Sequence, residues 1–399
     1  MSPSFHTEQI GSLLRPEGLL SARAASNLFY YAPTAPEDIK RETEAAIARV
    51  VRKQQDLGIR PITDGEYGRF VFSDGFFERL EGFKAYQHLP VPDAFRTNYP
   101  PSAMLMKLGV KTRPAAVAEG KIRHKESSYL EQWKALRALL PESEWKLCKV
   151  TMPALSHQHI GLRPGRAYST SAYNSDEEYF GDLAAAYRQE IRMLYEAGVR
   201  NIQVDDPQLT FLLMESFRNG IAIDGGDAND LLETYKWASN EALKDKPEDL
   251  HVGIHLCRGN FPGSVHVAEG SYEWLAQRLF STTKYDTFYL EYDTPRAGSF
   301  SPLRYLPIGK NVVLGLVSTK SPTLEDLDLL EKRVYEAADI IAEGQGRTRQ
   351  EVIENSLAVS PQCGFSSISV GGGAGVTEEV MWEKLLLVKR LAERIWGVS

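Results

Sequence analysis

The feature that most constrains the fold of this chain is a regular alternation of short apolar runs with longer amphipathic segments. Each apolar run is rich in Val, Ile, Leu or aromatic residues and is bounded by Gly, Pro, Asp or Ser, which is typical of buried strands. Eight runs are predicted to be strands, at 9–13, 61–65, 146–152, 201–205, 252–257, 287–291, 312–317 and 357–360.

Between most of these runs, apolar residues recur every three or four positions, which predicts helices. The clearest pattern covers 176–197, and similar patterns cover 40–57, 227–243, 272–280, 323–342 and 377–396. Buried strands that alternate with helices predict an α/β fold with a parallel sheet closed into a (β/α)8 TIM barrel. An open, doubly wound sheet is the alternative.

One long segment, 81–144, breaks this alternation between the second and third strands. It contains five prolines followed by a short basic run, and we interpret it as a hairpin plus a helix at 129–140. Such an insertion would cover one end of the barrel as a lid or as an arm for contact in a homodimer. Because no repeat or low-complexity linker is present, residues 1–399 are predicted to form a single domain with this insertion.

The charge and cysteine content exclude several classes of protein. The formal net charge of the 399 residues is −7, and such a surface does not favour nucleic acid or anionic membranes, which need clustered Lys and Arg. Three cysteines are too few for a disulfide framework and suggest a reducing compartment. The sequence shows no apolar run long enough to span a bilayer and no secretory leader, so we expect a cytoplasmic protein.

The strongest chemical signal is a His-x-Cys pair, His255 and Cys257, on one face of the fifth predicted strand. A thiolate beside an imidazole suits zinc, although such a pair alone is more often structural. The sixth strand ends at Glu291, and Cys363 follows the eighth. Since parallel strands of a barrel converge at their carboxyl ends, these four residues predict a Zn²⁺ site with one exchangeable ligand. Cys148, within an apolar run, is predicted to be buried as a small hydrophobic residue.

The same edge of the barrel is expected to collect further polar residues. Asp205 and Asp206 end the fourth strand, Glu66 follows the second, and Ser12 ends the first. Carboxylates there could bind an ammonium group, and a Gly-Ser turn offers hydrogen-bond donors to a carboxylate. Each residue alone could equally be a helix cap or a turn residue, but together they predict a pocket for an amino acid beside the metal.

Taken together, these motifs resemble the catalytic barrel of the cobalamin-independent methionine synthase family. The resemblance runs from about residue 6 to 392, is closest to short single-barrel relatives, and rests on Ile10-Gly11-Ser12, Asp64-Gly65-Glu66, Asp205-Asp206-Pro207, His255-x-Cys257, Glu291 and Pro361-x-Cys363-Gly364. It implies a zinc-dependent methyltransferase that transfers a methyl group to a thiol, homocysteine in the family, to give methionine. The implied donor is methyltetrahydrofolate or a methylcorrinoid, free or on a partner protein.

The resemblance also implies roles for individual residues. The implied metal ligands are His255, Cys257, Glu291 and Cys363, and the implied substrate-binding residues are Ile10 and Ser12 for the carboxylate and Glu66 and Asp205 for the ammonium group. Two catalytic candidates mark departures from the family pattern. Lys320 stands where the family has a histidine in the loop after the seventh strand, and Asp206 replaces the glutamate of the family's Asp-Glu-Pro. The N-terminal barrel of the full-length enzyme is also missing from this chain.

Three other functions are compatible with parts of this pattern. A zinc enzyme similar to epoxyalkane:coenzyme M transferase would alkylate another thiol, but Glu66 with Asp205 favours an amino acid over a sulfonate. A non-catalytic, zinc-stabilised binding barrel would hold its metal in a closed shell of four protein ligands. A barrel similar to uroporphyrinogen decarboxylase needs no zinc, and the His-x-Cys pair disfavours it.

Overall fold

A parallel sheet of six strands, each paired with the next along the chain, forms the centre of the protein. The computed structural model describes residues 5–25, 35–265, 267–368 and 372–397. A separate antiparallel pair precedes the sheet, so that the strands in chain order are β1 (Glu81–Pro90), β2 (Thr112–Arg123), β3 (Val150–Pro153), β4 (Asn201–Asp205), β5 (His251–Leu256), β6 (Thr287–Glu291), β7 (Asn311–Val317) and β8 (Leu357–Pro361). Strands β3 to β8 form the parallel sheet in that order. The predicted α/β class with a parallel sheet is therefore confirmed.

Helices connect the strands and pack against the sheet. They are α1 (Glu17–Ala25), α2 (Glu37–Leu57), α3 (Val91–Ala94), α4 (Pro100–Lys107), α5 (Leu130–Arg137), α6 (Ser156–His159), α7 (Asp176–Glu196), α8 (Pro207–Phe211), α9 (Glu215–Ile223), α10 (Ala228–Ala242), α11 (Glu273–Phe280), α12 (Leu327–Gln345), α13 (Arg349–Ser356) and α14 (Glu378–Trp396). The six predicted helices are all present, with ends that differ by a few residues. Side chains cap several of them, as where Ser175 accepts a hydrogen bond from the backbone of Glu178.

The first two predicted strands, 9–13 and 61–65, are not strands in this structure. Among the described residues, the bridges at these segments are isolated and parallel: Ile62 pairs with Cys148, and Thr7, just before the first segment, pairs with Val359. Glycines with positive φ turn both segments, and Pro61 has no backbone N–H to donate. The two segments are linked by a side chain in place of backbone strand pairing: the amide of Gln9 donates to the carbonyl of Pro61 at 2.6 Å. The sheet formed by the described residues is open, so the closed eight-stranded barrel is not confirmed.

The segment 81–144 contains the antiparallel pair β1 and β2, which encloses α3 and α4, and then α5. Leu162 forms a bridge with Phe95, and Tyr168 forms one with Ala118. The backbone N–H of Arg96 also donates to the carbonyl of Gly161 at 2.8 Å. These contacts hold the stretch between the two strands over the loop that follows β3.

The register of the sheet brings chemical groups together at one edge. Asp205 at the end of β4 pairs with His255 near the end of β5. On the next strands, Glu291 at the end of β6 is paired with Gly315, which in turn is paired with Ser360 of β8. Because the strands are parallel, their carboxyl ends lie on the same side. Residues separated by more than 150 positions in the sequence thus share one edge.

Beneath this edge, the core contains a buried ion pair. The Lys149 ammonium group lies 2.7 Å from Oε2 of Glu8, with both side chains at most 5% exposed, and the hydroxyl of Tyr289 donates to Oε1 of Glu8 at 3.2 Å. Cys148 next to it is 1% exposed, as predicted for a small hydrophobic residue. Within the described residues, no helix is both long and apolar enough to cross a membrane.

Candidate metal and substrate site

Four possible metal ligands meet at the carboxyl edge of the sheet. One ligand atom from each of His255, Cys257, Glu291 and Cys363 lies within 4.8 Å of those of the other three. The two sulfur atoms are 3.4 Å apart, and all four side chains are at most 8% exposed. The structure therefore brings together the ligand set that the sequence predicts.

The turn after β8 depends on a glycine to place Cys363. A Cβ atom added to Gly364 would lie 1.9 Å from the hydroxyl oxygen of Ser12, far closer than any van der Waals contact. The backbone N–H of Phe365 donates to the carbonyl of Ser12 at 2.8 Å. The segment around Ser12 is thus packed directly against the turn that carries the second cysteine.

The electrostatics of the four side chains favour a bound cation. Burial lowers the pKa of His255 to about 3, so its imidazole is neutral at pH 7, and among the described residues neither ring nitrogen has a hydrogen-bond partner. The hydrogen bond with Cys363, burial and the nearby Glu291 carboxylate raise the pKa of Cys257 well above its usual value. A dication would satisfy the imidazole and stabilise both thiolates, and a set of one nitrogen, two sulfurs and one carboxylate suits tetrahedral Zn²⁺.

Glu291 has additional partners behind the cluster. Its Oε1 accepts a hydrogen bond from the backbone N–H of Arg258 at 3.1 Å, and its Oε2 accepts one from Nη2 of Arg296 at 2.8 Å. The same Nη2 atom donates to Oδ1 of Asp293 at 3.0 Å. Burial raises the pKa of Glu291, and the charge of Arg296 partly offsets this.

Two further carboxylates, Glu66 and Asp205, lie in the same pocket. Oε1 of Glu66 accepts from the Thr151 hydroxyl at 2.7 Å, whereas Oε2 is buried without a partner among the described residues. Oδ1 of Asp205 accepts from the side chain of Gln203 at 2.6 Å. Burial raises the pKa of both carboxyl groups. The charge of Glu66 raises the pKa of Asp205 further, whereas the Arg69 guanidinium, 4.0 Å from Glu66, partly offsets the rise for Glu66. A cationic group placed between them would relieve both effects.

The backbone at Glu66 is held in an unusual conformation. Its φ is 59°, in the left-handed region that residues other than glycine rarely adopt. Gly11 packs against the Glu66 side chain, since a Cβ atom added there would lie 3.0 Å from Oε1. Strained residues of this kind persist where the surroundings fix them, and they cluster at functional sites.

A cavity of about 290 Å³ connects three of the four possible metal ligands with these carboxylates, while Glu291 lies behind its wall. Near the sheet it is lined by Ile10, Ser12, Glu66, Asp205, His255, Cys257 and Cys363. Its outer part is lined mainly by aromatic and aliphatic residues, among them Phe72, Phe95, Tyr99, Leu105, Val110 and Phe211, with Arg113 as a cation. The outer part is built largely by the stretch between β1 and β2.

Comparison with known proteins identifies the family. The family model described as "Cobalamin-independent synthase, Catalytic domain" matches residues 168–371. The uncharacterised protein YxjG of Bacillus subtilis (strain 168) is 31% identical, over 99% of this chain and 95% of its own length. The chain belongs to the cobalamin-independent methionine synthase family. It is therefore a member of a methyltransferase family, as the sequence motifs indicate.

Two named relatives agree with this assignment. The methionine synthase of Pyrococcus abyssi is 23% identical over 91% of this chain and 87% of its own length. The crystal structure of the putative vitamin-B12 independent methionine synthase of Listeria monocytogenes is similar, with a TM-score of 0.70 and 27% identity. The alignment covers 100% of this chain and 99% of that one. The likeness extends beyond residues 168–371 to almost the whole chain.

Two residues that the family pattern marks as catalytic candidates do not line the cavity. Asp206 caps α8, because its Oδ1 accepts hydrogen bonds from the backbone of Gln208 and Leu209. Nζ of Lys320 donates to Oδ1 of Asn260 at 3.0 Å, and Asn260 does line the cavity. Both residues thus stand one contact away from the space where a substrate would bind.

The sequence patterns do not indicate the outer part of the cavity. Phe95, Tyr99 and Arg113 lie in the insertion, where no helical or strand periodicity pointed to a site. His157, which follows β3, also lines the cavity, and its ring hydrogen-bonds to Gln208 at 2.9 Å. A possible signal was the clustering of aromatic residues and one arginine in a proline-rich insertion.

Proposed function

We propose that this protein is a zinc-dependent methyltransferase that methylates the thiol of homocysteine to give methionine. The observation that carries the proposal is that the metal-binding cluster and the Glu66–Asp205 pair open into one cavity. One end of that cavity suits a sulfur atom, and the other suits the charged end of an amino acid. Relatives named methionine synthase support the same reaction.

In this proposal, the amino-acid end of the substrate is held by both strand ends and loops. Glu66 and Asp205 bind the ammonium group, while Ser12 and the backbone around Ile10 bind the carboxylate. These contacts direct the sulfur toward the cluster of His255, Cys257, Glu291 and Cys363. A free thiol has a pKa of about 8.5 and is mostly protonated at neutral pH. A bound zinc ion would keep the substrate sulfur deprotonated at that pH.

The transfer itself is a displacement at carbon. The sulfur, which has lost its proton, forms a bond to the methyl carbon as the bond from that carbon to the donor nitrogen breaks. The electron pair stays on the nitrogen, which takes up a proton in place of the methyl group. We propose that Lys320 supports this step through Asn260, which it contacts at the cavity wall. Asp206 positions α8, whose residues Pro207, Gln208 and Phe211 line the cavity.

The outer cavity favours a methylated folate over a methylcorrinoid as the donor. Its aromatic lining suits a flat ring, and Arg113 suits a carboxylate. The guanidinium group of Arg113 lies 4.9 Å from the centre of the Phe95 ring and donates to the Ser102 hydroxyl at 2.8 Å.

The experiment that tests the function uses the zinc-loaded protein with L-homocysteine. Methyltetrahydrofolate, its polyglutamylated form and methylcobalamin are supplied in turn, and methionine is measured by mass spectrometry. We expect methionine with the folates. No methionine from any donor, together with no effect of homocysteine on the metal, would refute the proposal and favour the zinc-stabilised binding barrel. Methylation of coenzyme M in preference to homocysteine would favour the other transferase.

Replacing Arg113 with glutamine tests the donor part of the cavity. Loss of a charge-assisted hydrogen bond weakens binding by about 10-fold or more, so we expect KM for the folate to rise by that factor. KM for homocysteine should not change. R123Q is the matched control, since Arg123 lies exposed at the end of β2 outside the cavity. An equal rise of both KM values in R113Q would contradict this role.

We also propose that the segments 9–13 and 61–65 complete the barrel with the six-stranded sheet. The backbone N–H of Glu8 donates to Val359 at 2.8 Å, and that of Ile62 donates to Leu147 at 2.8 Å. Between the two segments, the N–H of Leu13 donates to the carbonyl of Gly65 at 3.1 Å. A single domain with an inserted arm at 81–144 and a homodimer formed through that arm remain predictions.

A further inference from the structure

The carboxylate of Glu291 is held by the protein even without a cation. Each of its oxygens accepts one hydrogen bond, from the backbone of Arg258 and from Arg296. A carboxylate has about four lone-pair positions, so it can also bind a cation while both bonds persist. Glu291 therefore has a charged hydrogen-bond partner, Arg296, in addition to any cation that the cluster binds.

That partner, Arg296, is shared with a second carboxylate. A single atom, Nη2, lies 2.8 Å from Glu291 and 3.0 Å from Asp293. The side chains are 8% exposed for Arg296 and fully buried for both carboxylates. Because Asp293 neutralises the charge of the guanidinium group, Arg296 can remain in place whether or not Glu291 binds a cation.

We propose that Arg296 is a positioning residue that makes Glu291 the exchangeable ligand, by keeping its carboxylate paired when the substrate sulfur takes its place. This inference rests on the proposed function. A buried carboxylate without a partner is strongly disfavoured, so its release from a cation needs a waiting countercharge. Among the hydrogen bonds and ion pairs of the described residues, Glu291 alone in the cluster pairs with a cationic side chain, which explains why Glu291 would be the ligand that leaves.

The test uses the protein loaded with Co²⁺, whose absorption reports its ligands. Cobalt affinity is measured by competition with a chelator, and homocysteine binding is measured by growth of the thiolate-to-cobalt charge-transfer band. In R296Q, Glu291 should hold the metal more firmly. We expect cobalt affinity to rise and homocysteine affinity to fall by about 10-fold. R296K keeps a charge that can bridge both carboxylates and should restore homocysteine binding.

A double-mutant cycle separates this role from general electrostatics. In the E291Q background, the change R296Q should no longer alter cobalt or homocysteine affinity, because its effect acts through the carboxylate. R304Q is the matched control. Arg304 is exposed and pairs with Glu273, so both affinities should remain those of the parent protein.

Two results would overturn the inference: a parallel loss of cobalt and homocysteine binding in R296Q, or an effect of R296Q that persists in full with E291Q. Should R296Q fail to fold, D293N can be used instead, because it leaves Arg296 to pair with Glu291 alone. We expect D293N to weaken cobalt binding, and we expect no such weakening when E291Q is also present. If homocysteine has no effect on the cobalt spectrum of the parent protein, the proposed function fails. The cobalt-affinity cycle then still decides the role of Arg296.

Discussion

Replacing Cys363 with serine is expected to remove the metal and, with it, methyl transfer. A serine hydroxyl remains protonated at neutral pH and is a poor ligand for zinc compared with a thiolate. The four ligand atoms lie within 4.8 Å of one another, so no other described side chain is placed to complete the set. We expect zinc affinity and the rate of methionine formation each to fall by more than about 100-fold.

The measurement is zinc content per chain after dialysis, together with methionine formation from homocysteine. C257S should behave as C363S does. C148S is the matched control, since Cys148 is buried away from the cluster and its thiol contacts the carbonyl of Glu144 at 3.8 Å. C148S is expected to cost stability but no zinc. Unchanged zinc content in both C257S and C363S would leave the metal assignment without support.

Neutralising the Glu66–Asp205 pair is expected to abolish homocysteine binding while it stabilises the protein without substrate. In E66Q or D205N the ammonium group loses a buried countercharge, and we expect kcat/KM for homocysteine to fall by more than about 100-fold. The same change removes mutual repulsion and the cost of burying a charge. The melting temperature of the substrate-free protein should therefore rise at neutral pH. D56N, on the exposed face of α2, is the charge-matched control.

The pH dependence of this effect has a definite sign. Folding raises the pKa of Glu66 and of Asp205 above ordinary values, which are about 4 in an unfolded chain. Between the ordinary and the raised pKa, the folded state holds more protons than the unfolded state. The pair therefore destabilises the fold progressively as the pH rises through that window.

Two measurements follow from this sign. The melting temperature of D205N should fall less than that of the parent protein as the pH rises through the same window. Homocysteine binding by the parent protein should strengthen over that range, because the ammonium group needs ionised carboxylates. A D205N variant that melts lower than the parent protein at every pH would refute the repulsion argument.

The sequence predicts the second half of the fold better than the first. Strand β7 is buried at every position, and its nearly continuous apolar run between turn residues is a direct signal of that burial. The segments 9–13 and 61–65 are also predicted to be strands, but their glycines and Pro61 interrupt pairing, and among the described residues only Ile62 in these segments forms a bridge. Local turn geometry decides whether such a segment pairs as a strand, and an apolar sequence pattern does not reveal that geometry.

The cluster of His255, Cys257, Glu291 and Cys363 was inferable because parallel strand ends must converge, whatever the details of the sheet. The positions of Arg113 and Arg296 could not be inferred in this way. Arg113 reaches the cavity through an insertion with no periodicity, and Arg296 lies in a loop whose path depends on packing. Sequence patterns indicate where regular elements end, whereas the partners of a buried charge depend on how the loops fold back.

The close approach of the two sulfur atoms at the cluster affects how well the protein resists oxidation. At 3.4 Å, two thiols without a cation between them are near enough for an oxidant such as peroxide to take two electrons and join them as a disulfide, with loss of two protons. That bond would consume both sulfur ligands at once. Zinc supply would then govern resistance to oxidation as well as turnover, and a thiol reductant should be present whenever the apoprotein is prepared.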